Sequence, residues 1–69
     1  MRRQYVLKVA PWRESVDGEP YRQCWVEEGG WIVFADCVFL FSRSLEEVVE
    51  EAKRQLGVDE IVVEEEKGI

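Results

Sequence analysis

Histidine, asparagine and threonine are missing from this 69-residue chain, methionine occurs once, and cysteine and proline occur twice each. Without His there is no Ser-His-Asp or Cys-His arrangement, no imidazole general base and no His-containing zinc set. Two cysteines, Cys24 and Cys37, are too few for a disulfide scaffold or a four-ligand metal site. Both lie inside apolar runs. That placement predicts buried, reduced thiols, with a structural disulfide as the alternative. The phosphate-binding loop G-x-x-x-x-G-K-S/T, the dinucleotide fingerprint G-x-G-x-x-G and the redox pair C-x-x-C are all missing. The expectation is a protein with no cofactor and no metal.

Long apolar runs are missing too. Trp31 to Phe41 is the longest and holds Asp36, well short of the roughly 20 residues of a membrane helix. The opening Met-Arg-Arg-Gln-Tyr-Val-Leu-Lys is basic, but no long apolar stretch follows it, so it does not read as a signal peptide. These features predict a cytoplasmic protein without membrane contact. Positive charge is the scarcer sign: 9 basic against 15 acidic residues give a net charge of -6. Nine of the acids fall in residues 42–69. Phosphate recognition draws on Lys and Arg, so nucleic acid is not an expected partner.

What is present is enough for one small core. Apolar types make up 46% of the chain and aromatics 12%, which excludes an intrinsically disordered sequence. Glu and Val dominate, and Arg outnumbers Lys. With few thermolabile residues, that is the bias of thermophile proteins.

Alternation predicts strands at about 4–11, 21–28, 31–41 and 59–65. Residues 13–20 read as a polar loop with an Asp-Gly turn, and Gly29-Gly30 as a hairpin turn. Ser44-Leu45-Glu46-Glu47 fits a capping box that opens a helix over about 45–56. Leu45, Val48, Val49, Ala52 and Leu56 form its apolar stripe, Glu50 and Arg54 are spaced to pair, and Gly57 closes it. Residues 64–69 read as a charged tail. The expected fold is a single α+β domain over residues 1–69, in the order β-β-β-α-β. An antiparallel three-stranded meander is joined by a fourth strand, parallel to either the first or the third. The helix packs on one face.

A two-residue turn at Gly29-Gly30 with unbroken alternation puts Cys24, Val26, Trp31, Val33, Ala35, Cys37 and Phe39 under that helix. Tyr21, Trp25, Ile32, Phe34, Val38 and Leu40 then fall on the opposite face, interleaved with Gln23, Glu27 and Asp36. One helix covers one face, so these six apolar residues are the candidate partner-binding site. The alternative is that the 13–20 loop and the C-terminal tail fold over them.

No candidate for catalysis emerges. Glu46, Glu47, Glu50 and Glu51 form a solvated helix face. The run Glu64-Glu65-Glu66 is poorly shaped for a cation. Asp36, alone in an apolar strand, is expected to pair with Arg22, Gln23 or a backbone group. The expected function is therefore a non-catalytic protein–protein interaction or regulatory module, not an enzyme. It is expected to associate with itself as a dimer, or with another protein, through the sheet face or edge that the helix leaves open. An acidic inhibitor mimicking nucleic acid through the helix carboxylates is the alternative. A small enzyme is disfavoured, since acid–base work needs a tuned group in a pocket.

Gly29-Gly30-Trp31-Ile32-Val33, followed by Ser44-Leu45-Glu46-Glu47-Val48-Val49-Glu50-Glu51-Ala52, resembles the G-G-Y-V-V and T-L-E-E-A-L-E-N-A pattern of HicB-type antitoxin domains. Those domains share the β-β-β-α-β order. Their intervening P-x-L-P-G-C segment is replaced here by Phe34-Ala35-Asp36-Cys37-Val38. The resemblance implies a dimeric module that neutralises a partner protein.

Overall fold

The structure, a computed structural model, describes residues 4–66. Its elements are β1 (Val6–Val9), β2 (Arg13–Glu14), β3 (Pro20–Glu28), β4 (Trp31–Phe39), α1 (Leu45–Leu56) and β5 (Val62–Glu65). The fold is α+β, with five strands in one sheet and one helix. Central β3 pairs antiparallel with β4 from Tyr21 to Glu28 along one side. Its other side carries β1 and then β2 in succession. The short β2 lies in the segment read as loop. Pro11 lacks an amide donor and ends β1, and the chain rejoins the same side of β3 two residues later.

β5 runs parallel to β1, with Val6 opposite Val62 and Val9 opposite Glu65. This decides which neighbour the last strand takes. β5 ends at Glu65 as expected but begins at Val62 and not at residue 59, while residues 67–69 of the expected tail lie outside the described residues.

The helix begins and ends where the sequence places it. Ser44 is extended and its hydroxyl accepts the Glu47 amide N–H at 3.2 Å. Gly57 closes the helix in the left-handed region, φ 68°, a conformation costly for any residue with a Cβ. Arg54 pairs with Glu51, and Lys53 with Glu50 at 3.8 Å, in place of the expected Glu50–Arg54 pair. The core lies between this helix and one sheet face: Leu7, Val9, Cys24, Val26, Phe34, Val38, Val48 and Ala52.

The β3–β4 register contains the largest departure from simple alternation. Gly29 and Gly30 both have positive φ, 56° and 88°, so the two-residue turn forms and sets Glu28 opposite Trp31 and Glu27 opposite Ile32. Val26 then faces Phe34, leaving Val33 as an extra, bulged residue. From there on every β4 side chain changes face. Phe34, Asp36 and Val38 turn toward the helix, and Ala35, Cys37 and Phe39 turn away. The bulge lets the hairpin keep its preferred turn while Phe34, larger than Ala35, fills the core.

Candidate functional site

The bulge corrects the candidate site. Phe34 and Val38 are only 8% and 5% exposed, packed in the core and not on the open face. Leu40 is exposed but stands beyond the end of β4, where its amide N–H donates to the Pro20 carbonyl at 3.0 Å. Of the six residues expected together, Tyr21, Trp25 and Ile32 share the open face. Ala35, Cys37 and Phe39, assigned by alternation to the helix side, join them.

This face presents an apolar strip interrupted by the exposed Gln23. The Tyr21 and Phe39 rings lie 6.2 Å apart between centroids. Trp25 donates its indole N–H to Glu27 Oε2 at 2.7 Å, and Glu27 is also 3.6 Å from Lys8 Nζ. The polar edges of the strip are thereby satisfied locally, and the apolar ring of Trp25 stays available. Ile32 is 64% exposed. Between Trp25 and Ile32 the small side chains of Ala35 and Cys37 leave a shallow groove of about 410 Å³. The 13–20 segment does not cover it: Val16 at its tip is fully exposed, in a turn closed by Ser15 N–H to Glu19 O at 3.1 Å.

Asp36 has a role that its lone position in an apolar strand only hinted at. Its Oδ1 accepts the Cys37 amide N–H at 2.8 Å, and its Oδ2 accepts Arg43 Nη2 at 3.0 Å. Arg43, not Arg22 or Gln23, is its charged partner. Arg43 also exchanges two backbone hydrogen bonds with Phe39, at 2.9 and 3.0 Å. Phe39 and Cys37 direct their amides away from β3, as alternate residues of an antiparallel pair do. Asp36 and Arg43 therefore close the outer edge of β4 over its last turn of pleat. A charged residue inside an edge strand is a recognised guard against stray pairing, and that was the signal in the sequence.

Cys24 and Cys37 are both free and occupy opposite faces of the sheet, Cys24 buried and Cys37 half-buried. Burial, reinforced by the negative charge of Asp36, pushes the Cys24 thiol up to about 11. An unfolded chain sheds this proton near pH 9 while the folded one keeps it. Stability therefore falls as pH rises from about 9 to 11, by at most about 3 kcal/mol. Urea titrations at both ends of that window check this: Cys24→Ala should remove this part of the pH dependence.

A second hollow of about 270 Å³ lies on the helix side, bordered by Trp12, Arg22, Arg43 and Glu65. Both guanidinium groups carry an acidic partner, Arg22 with Glu65 at 3.8 Å and Arg43 Nη2 with Asp36, while the buried Arg43 Nε has no hydrogen-bond partner among the described residues. On the helix, Glu50 and Glu51 are likewise engaged by Lys53 and Arg54. Among the described residues no cluster of three or more acidic or cysteine side chains is placed to hold a metal ion. No helix among them is long and apolar enough to cross a membrane. Comparison with protein-family models, curated proteins and solved structures yields no match. The antitoxin-like reading therefore rests on the quoted residues and the element order alone.

Proposed function

We propose that this chain is a non-catalytic protein–protein interaction module that associates with itself through the part of the sheet its helix leaves open. The observation that carries the reading is the apolar strip of Tyr21, Trp25, Ile32, Ala35, Cys37 and Phe39 on the face away from the helix, with Ile32 and Ala35 exposed and the other four half-buried. Apolar surface gathered in one place, rimmed by locally satisfied polar groups, is the usual composition of a contact face. The nucleic-acid-mimic alternative draws less support, since two of the four helix carboxylates it requires are tied up by neighbouring cations.

Sedimentation velocity over a concentration series tests this reading. A dimer is expected at tens of micromolar, nearly indifferent to salt because apolar contact is not screened. A monomer at every concentration overturns self-association. Association that weakens steeply with salt would favour a contact made by charge.

A further inference from the structure

Resting on that reading, we propose that the occupant of the open face is a second copy of this chain, packed sheet against sheet about a two-fold axis, and that neither sheet edge mediates the pairing.

The β4 edge is closed by its own side chains, and the β5 edge is short and charged. At β4, Asp36 takes the outward Cys37 amide and Arg43 takes both outward groups of Phe39. The bulge at Val33 bends the remainder, and a bent edge is a poor template for another strand. The β5 edge is only four residues long and carries the exposed charges of Glu64 and Glu65, two features that blunt an edge against pairing.

The open face differs in charge from the rest of the molecule. The register places four charged strand residues on it, Lys8, Arg13, Glu27 and Glu64, two of each sign. A chain carrying a net charge of -6 repels its own copies over most of its surface. This face is where two copies approach without that penalty, and it offers no excess charge to attract a strongly charged partner.

Shape and area agree. The molecule is only 15 Å along its shortest axis, one sheet with one layer of helix. It exposes 5280 Å², whereas a compact monomer of its mass exposes about 4500 Å². The excess is comparable to the ~800 Å² each partner contributes to a standard interface. Ile32 projects beside the groove at Ala35 and Cys37. A two-fold axis between them turns each copy's Ile32 into the other's groove, with the sheets about 10 Å apart.

Cys37 supplies the test. It lies on the proposed interface, and Cys24 is buried on the opposite face as an internal control. In the intact protein, maleimide should label Cys37 rapidly in dilute solution. Labelling should slow as concentration rises, about tenfold where ten protomers are in the dimer for every free one. Ala35→Arg, which replaces an exposed side chain, should sediment as a monomer with wild-type circular dichroism and lose that protection. A wild-type dimer whose Cys37 labels at an unchanged rate, and which survives Ala35→Arg, would overturn the face while leaving self-association standing. A wild-type monomer at every concentration overturns both.

Discussion

Phe34→Ala is expected to remove most of the protein's stability, whereas changing its neighbour Ala35 to Arg leaves the fold intact. Phe34 fills the centre of the layer between sheet and helix, in contact range of Val26 and the helix stripe. Emptying such a site costs about 3–5 kcal/mol, the lost transfer energy plus the cavity left behind. A domain of this size holds only about 5 kcal/mol in total. In the monomer Ala35 is exposed on the other face, where substitutions stay within about 0.5 kcal/mol at concentrations too low for association. Urea midpoints of the two variants, followed by circular dichroism, decide the matter. If Ala35→Arg unfolds and Phe34→Ala does not, β4 lacks the bulge and follows plain alternation. The same reasoning makes Phe34→Glu useless as a probe of association: it destroys the monomer.

Ala52→Asp should have an effect of similar size for a different reason. Ala52 and Val48 are the two fully buried residues of α1, so the helix meets the sheet through their faces. A carboxylate at Ala52 would sit there without a cation. Burying an unpaired charge costs several kcal/mol even after relaxation. Undocking the helix would expose Leu7, Val9 and Val26 together. Loss of the cooperative thermal transition is the expected result. Glu46→Gln on the solvated side of the same helix should shift its midpoint by less than the equivalent of about 0.5 kcal/mol. Equal effects from the two variants would mean that α1 is not anchored through Ala52.

Much of this architecture is legible in the residues because it is dictated locally. The Ser44 cap, the apolar stripe and Gly57 delimit α1 without reference to the rest of the chain, and Gly29-Gly30 dictates the hairpin. The bulge is different. Its cause is the competition between a turn that wants two residues and a core that wants Phe34, and period-two alternation contains no mark of it. One extra residue therefore exchanged Phe34 and Val38 for Ala35, Cys37 and Phe39 on the open face. Tyr21, Trp25 and Gln23 were placed correctly because they precede the bulge on the other strand. The partner of Asp36 was hidden for a related reason. Only after the chain turns at Leu40–Ser42 does Arg43 come back alongside Phe39, and residue spacing does not reveal that return. Likewise the parallel seat of β5 beside β1 joins residues from the two ends of the sequence, which nothing local encodes.

That last pairing has a consequence for synthesis. β1 emerges early from the ribosome, yet its outer side stays bare until the final strand has been made. Up to that moment Leu7 and Val9 belong to a strand paired only with β3, on one side. Premature stop codons or proteolytic trimming before Val62 would leave species with a sticky flank, and a chain that reaches Glu65 is the first length at which that flank is sealed.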